Sequence, residues 1–298
     1  MTHIVEKAFR KRVDQLELPK SVYADYPSVY VPIKQWIQDR CGQGSAFVLG
    51  VNGAQGSGKS TFCDLLSHIL TACGLSTVVL SIDDLYHTRR TRLKMGAEIH
   101  SLCAIRGVPG THDVQMGIEL INALKSSQPN QAIAIPRFDK ATDDRRCADE
   151  FDTVSSPVDV VLFEGWCVGE PPMPPYDGPY NDRERREDPE GLWARWSQSH
   201  LNNEYQTLNA CLDALVMIKV PSMNVVRENR WLQEQKLHAK MSQVADASHL
   251  PGLMSKMETF DYVDLFERHT EHLFETLVHS SEILILRDSE FNYSLARI

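Results

Sequence analysis

A chain of 298 residues with 42% hydrophobic and 24% charged residues has the balance of a globular protein with a sizeable core, in one large α/β domain or two small ones. Its net charge of −9 argues against a nucleic-acid-binding face, which needs a basic patch. No apolar run approaches the ~18 residues that would span a bilayer. Seven cysteines without a C-x-x-C pair suggest neither zinc site nor disulfide framework, and point to reduced thiols in a cytoplasmic protein, organellar or nuclear residence staying open.

Residues 4–18 carry Ile4, Val5, Ala8, Phe9, Val13 and Leu16 at helical spacing. Residues 31–41 form a second helical segment with Pro32 at its start and Trp36 and Ile37 inside. Together they predict a helical N-terminal extension over residues 1–45, ahead of a main domain over residues 46–298.

That domain opens on Phe47-Val48-Leu49-Gly50-Val51-Asn52, an apolar run short enough for a buried strand. Next comes Gly53-Ala54-Gln55-Gly56-Ser57-Gly58-Lys59-Ser60-Thr61, which fits G-x-x-x-x-G-K-[ST], the phosphate-binding P-loop. Glycines let the backbone curl so that successive N–H groups converge on phosphate oxygens. The helix that follows, with Phe62, Leu65, Leu66, Ile69 and Leu70 on one face, adds its positive end to the same anion. Lys59 is expected on the β/γ-phosphates of ATP and the Ser60 hydroxyl on Mg²⁺.

The strand Thr77–Ile82 ends on Asp83-Asp84-Leu85-Tyr86. In open α/β sheets ligands sit beyond the carboxyl ends of the strands. One of these two acids is therefore expected to accept the proton of an attacking hydroxyl, the other to cap the next turn. Among the basic residues that follow, Arg106 and His112 lie beside glycines in Arg106-Gly107-Val108-Pro109-Gly110-Thr111-His112-Asp113 and are the better candidates for an anionic substrate. Val114–Leu124 reads as an amphipathic helix and Ala132–Pro136 as a short strand, followed by Arg137-Phe138-Asp139-Lys140. The apolar run Val158–Trp166 carries Glu164 at its end, a Walker B type position from which a carboxylate holds Mg²⁺ directly or through water. Asp84 is the next carboxylate candidate for the metal.

Residues 170–190, rich in proline and charge, predict a long surface loop. Leu192–Leu212 reads as a helix, Ala214–Val220 as a central strand, Pro221–Lys240 as a helix with Arg227 and Arg230, Phe260–Val278 as one amphipathic helix, and Glu282–Arg287 as the last strand. Strands and helices alternate throughout. The expected fold is an α/β, P-loop NTPase-type three-layer α/β/α sandwich with a mostly parallel central sheet.

These motifs resemble the phosphoribulokinase/uridine kinase group of P-loop small-molecule kinases. Within it they are most similar to the D-glycerate 3-kinase family of the plant and fungal type. The resemblance rests on Gly53–Thr61, Ser81–Tyr86, Arg106–Asp113, Pro136–Lys140, Phe163-Glu164-Gly165-Trp166 and Arg230–Glu234. It implies Asp83 as the catalytic base and Arg227 and Arg230 as arginines of a lid-like helical region over residues 221–248. It implies ATP and Mg²⁺ as cofactors and a small anionic hydroxy acid, D-glycerate first, as acceptor. Tyr86, Arg106, His112, Asp113, Arg137, Asp139 and Lys140 are the candidate acceptor residues. In the stretch Asp143-Asp144-Arg145 an acid stands where the family pattern has glycine. A uridine- or pantothenate-like acceptor, with Tyr86, Phe138 and Trp166 as a stacking platform, and a non-catalytic nucleotide-binding regulator are the alternatives.

Overall fold

The structure, a computed structural model, describes residues 2–42, 44–126, 129–241 and 254–298. The strands, in chain order, are β1 (Phe47–Gly53), β2 (Thr77–Ser81), β3 (Ala132–Ile135), β4 (Phe138–Asp139), β5 (Asp144–Arg145), β6 (Asp152–Ser155), β7 (Val160–Gly165), β8 (Ala214–Lys219), β9 (Ile283–Arg287) and β10 (Tyr293–Arg297). The helices are α1 (Thr2–Gln15), α2 (Val31–Gln38), α3 (Lys59–Ala72), α4 (Arg89–Glu98), α5 (Val114–Lys125), α6 (Asp182–Glu187), α7 (Leu192–His200), α8 (Gln206–Asn209), α9 (Met223–Met241), α10 (Lys256–Asp264) and α11 (Glu267–Ser280).

Six strands form the central sheet in the order β10-β9-β8-β1-β7-β2, all parallel except β10. Side chains alternate across it, as the period of a strand requires. Leu49, Val51, Val160 and Leu162 enter one apolar cluster with α1, α2 and α3. Val48, Val161 and Phe163 enter the other, with α5, α7, α8 and α11. This is the three-layer α/β/α sandwich with a mostly parallel sheet. β1 lies between β7 and β8, so whatever leaves its carboxyl end sits at the middle of the sheet's edge.

The N-terminal helices complete one layer. Phe9 and Tyr30 are fully buried, their rings 5.0 Å apart, and Tyr30 stacks on Phe62 of α3 at 5.4 Å. Arg12 grips Asp64 of α3 through two hydrogen bonds. The extension thus packs directly on the helix that follows the P-loop. Among the described residues no helix is long and apolar enough to cross a membrane.

Four elements differ from expectation. β3 lies outside the parallel sheet and pairs antiparallel with β6. Its residues alternate exposed and buried, the pattern of a strand with one wet face. The span expected as one helix over Phe260–Val278 is broken at Leu265 and Phe266, both buried. The break lets Phe266 meet the Trp166 ring edge-on at 5.0 Å. A further strand, β10, follows a turn in which Asp288 accepts from the amides of Glu290 and Asn292. The loop over residues 170–190 holds α6 and is pinned by buried charge: Glu170 accepts from His269 at 2.7 Å, and Arg268 pairs with Glu184 at 2.7 Å. Of the lid-like region, residues 242–248 lie outside the described residues.

Candidate active site

β1 delivers the P-loop to the sheet edge. Gly56 (φ +70°) and Gly58 (φ +90°) take left-handed backbone, which costs glycine nothing and other residues strain. A Cβ on Gly56 would stand 2.6 Å from the Asn229 Cβ of α9, and one on Gly58 would strike the Tyr293 hydroxyl of β10. The loop is therefore walled by two elements from late in the chain. Inside it, the Ser57 hydroxyl and both amide atoms of Gln55 are buried without partners. The Lys59 ammonium turns back onto the Ala54 carbonyl at 3.2 Å. Such orphaned donors around a tight cradle suit an anion with several oxygens.

The candidate metal position is built by register. β7 lies between β1 and β2, and Glu164 pairs across with Val51 on one side and Ser81 on the other. Its carboxylate, nearly buried, accepts from the Ser60 hydroxyl at 2.8 Å. A hydroxyl and a carboxylate at the start of α3 are hard oxygen donors of the kind Mg²⁺ takes.

Past β2 the chain turns sharply through Ile82–Leu85, and the two adjacent acids diverge. Asp84 is an anchor. One oxygen accepts from the Phe138 amide at 3.0 Å and the other from Arg137 at 2.8 Å. The metal role expected as an option for Asp84 meets a carboxylate with both oxygens already engaged. Asp84→Ala should lose about 1–3 kcal/mol of stability, read by chemical denaturation, because it leaves the Phe138 amide unpaired and Arg137 with Asp152 alone. An unchanged midpoint would remove the anchoring role. Asp83 instead accepts from the Lys140 ammonium at 2.6 Å. Burial pushes its carboxyl up, but the charges of Lys140 and Lys59 and the Lys140 hydrogen bond outweigh that and hold it down at about 2.

The expected acceptor residues surround this pair unevenly. His112 is buried and its face stacks on Tyr86, centroids 4.3 Å apart. Burial pushes its imidazolium down to about 3, so it is neutral at physiological pH. Its Nδ1 meets the Tyr205 hydroxyl at 2.6 Å, and its Nε2 has no partner. Arg106 pairs with Asp143 and lies 5.6 Å from the Phe138 ring centre. Asp143 sits at φ +56°, in the left-handed region that favours glycine. That accounts for the acid where the family pattern has glycine: its carboxylate pairs with both Arg92 and Arg106. Asp113 caps α5 through the Met116 amide and meets Arg145, a structural position. Asp139 closes its own turn by accepting from the Ala141 amide at 2.8 Å.

The two arginines of α9 are held in ion pairs. Arg227 bonds Asp264 and Glu267, each at 2.7 Å, which ties α9 to α10 and α11. Arg230 pairs with Glu234 at 2.8 Å and lies over Tyr262, whose hydroxyl donates to the Arg106 carbonyl at 3.3 Å. Both arginines are thus engaged with carboxylates other than Asp83. Tyr205, Asn229, Tyr262 and Tyr293 support the site without any signal in the sequence pattern. Beyond Tyr293, a cavity of about 390 Å³ is lined by Lys219, Pro221, Arg287 and Asp288 among others. Both terminal nitrogens of the buried Arg287 guanidinium lack partners.

No protein-family model matches the chain. An uncharacterized kinase of Schizosaccharomyces pombe, mug58, is 31% identical over 209 residues, covering 67% of this chain and 74% of that protein. The chloroplastic D-glycerate 3-kinase of Arabidopsis thaliana is 26% identical over 272 residues, covering 86% of this chain. The chain spans 56% of that relative's length. The solved structure of a D-glycerate 3-kinase from Cryptococcus neoformans shares the fold, with TM-score 0.63 at 21% identity over 89% of this chain and 98% of the other.

Proposed function

This chain belongs to the D-glycerate 3-kinase-type family of P-loop kinases, and from that premise we propose that it transfers the γ-phosphoryl group of ATP to a hydroxyl of D-glycerate. One observation carries the reading. Lys59, the Ser60–Glu164 pair and the Asp83–Lys140 pair converge at the carboxyl ends of three adjacent strands, β1, β7 and β2.

The P-loop amides and Lys59 hold the β- and γ-phosphates, and the cavity beside Tyr293 takes the adenosine end. Ser60 and Glu164 hold Mg²⁺, which when bound neutralises phosphate charge. Asp83 receives the hydroxyl proton. Asp84 keeps Arg137 and Phe138 in place, so that the loop carrying Lys140 lies over Asp83. His112 offers a neutral nitrogen to the acceptor. Arg227 and Arg230 reach the transferring group only by exchanging their present carboxylates. Positioning and electrostatics supply most of the rate.

A nucleoside acceptor asks for a free aromatic face. Tyr86 is stacked on His112, and Trp166 is buried edge-on to Phe266 and His269. That disfavours stacking of a base. A cytoplasmic setting accords with seven cysteines that are all free thiols.

A coupled ADP-release screen over D-glycerate, uridine, pantothenate and ribulose phosphate tests the proposal. Turnover confined to glycerate is expected, and turnover only with another acceptor overturns it. The metal assignment has its own test. Glu164→Gln keeps the shape and removes the charge, so ADP release should fall and recover in part at raised Mg²⁺. Wild-type Mg²⁺ dependence in this variant would place the metal role elsewhere.

A further inference from the structure

An enzyme that selects an anionic acceptor needs a cation free to meet it, yet the arginines around Asp83 are all paired. Arg137 spans Asp84 and Asp152. Arg145 spans Asp113 and the carbonyls of Leu85 and Tyr86. Arg106 is held by Asp143 and lies beside the Phe138 ring. Arg137 and Arg145 each hold more than one partner, and Arg106, whose side chain is only 23% exposed, shares Asp143 with Arg92. Lys140 differs from them. Its one carboxylate partner among the described residues is Asp83, at 2.6 Å, and its side chain is 62% exposed. With Lys140 exposed and Asp83 partly so, solvent screens the pair, and exchange for another carboxylate costs less than at the more deeply set arginines.

We propose that Lys140 is a specificity-determining latch, which holds Asp83 in the free enzyme and is drawn off by the carboxylate of the acceptor. This rests on the reading of Asp83 as the base of a hydroxy-acid kinase. The consequence is chemical. A carboxylate bonded to an ammonium is a poor proton acceptor, since that bond favours its charged form. An incoming carboxylate offers Lys140 an equivalent partner and leaves Asp83 facing the hydroxyl, with Lys59, His112, Tyr86 and Tyr262 among the groups still near it. A neutral alcohol offers no such exchange, and Asp83 stays latched.

The transfer balances as follows. The acceptor oxygen bonds to the γ-phosphorus, the bond from that phosphorus to the bridging oxygen breaks, and ADP keeps its electron pair. The hydroxyl proton passes to Asp83. Because the latch and the base are in contact, the acceptor's carboxylate and hydroxyl must lie only a few atoms apart. A short hydroxy acid meets that condition.

The test compares D-glycerate with glycerol, its neutral counterpart, by ADP release at saturating ATP and Mg²⁺. It uses the wild-type chain, Lys140→Met and Lys140→Arg. In Lys140→Met, kcat/KM for glycerate should fall at least 100-fold. The value for glycerol should rise, and so should ATP hydrolysis without acceptor, because the base is permanently free. Lys140→Arg should restore the preference for glycerate in part. An equal fall for both acceptors overturns the latch. So does a loss confined to glycerate with no gain for glycerol or for hydrolysis, which would leave Lys140 as a plain binding residue. A wild-type chain inactive on every hydroxy acid would remove the kinase reading, and the latch with it. An active wild type with unaltered selectivity in Lys140→Met would remove the latch alone.

Discussion

Asp83→Asn should retain ATP binding and lose about 10²–10⁴-fold in kcat, the usual contribution of a general base. Asparagine keeps the shape of the side chain and its oxygen can still accept from Lys140. What disappears is the charge that receives the proton. The P-loop, Ser60 and Glu164 are untouched, so calorimetric titration with ATP should give a near wild-type affinity. Asp84→Asn under identical ATP, Mg²⁺ and glycerate is the control, because the two acids are adjacent in the chain and oppositely employed in the fold. Asp84 bonds the backbone of Phe138 and the side chain of Arg137, whereas Asp83 bonds one lysine ammonium. If Asp84→Asn is the inactive enzyme and Asp83→Asn turns over, the base is misassigned by one residue. If both turn over normally, the hydroxyl needs no carboxylate from this strand.

Lys59→Ala should lower turnover by at least about 10²-fold, the scale of removing one preorganised group that meets developing charge. It should leave the thermal unfolding midpoint where it is. The two expectations separate because Lys59 is half-buried and its hydrogen bond is to the Ala54 carbonyl of its own loop. Nothing in the core rests on it. Near wild-type turnover would remove the P-loop assignment, and a collapsed melting curve would mean that the ammonium holds the loop together in the absence of nucleotide.

The parts of this site that could be read from the sequence are those that one local segment encodes. The apolar run, glycine loop and amphipathic helix from Phe47 to Leu70 follow one another without interruption, and the structure reproduces them as β1, loop and α3. Glu164 was legible for the same reason, as an acid at the end of an apolar strand. The pairings were not. Lys140 and Asp83 lie 57 residues apart, and His112 and Tyr205 lie 93 apart. No period in the sequence links such positions, since only the packing of separate elements brings them together. The division of roles between Asp83 and Asp84 was expected, but which partners each takes was hidden. It depends on a tight turn after Ser81 that sends one side chain toward Lys140 and the other under Arg137. The broken helix at Leu265 and Phe266 has no glycine or proline to announce it, and the contact it allows, with Trp166, lies a hundred residues earlier in the chain.

The Tyr293 hydroxyl behind Gly58 bears on how the molecule is made. Loop and tyrosine are 235 residues apart, so during synthesis the loop leaves the ribosome long before its wall exists. Contacts of such separation form late, after the local helices and the inner strands have settled. A growing chain therefore passes through a stage with the phosphate loop written but unsupported, at which ATP has no finished cradle to occupy. Nucleotide stabilises only the form that binds it. Its protection is then expected only once β10 has paired with β9.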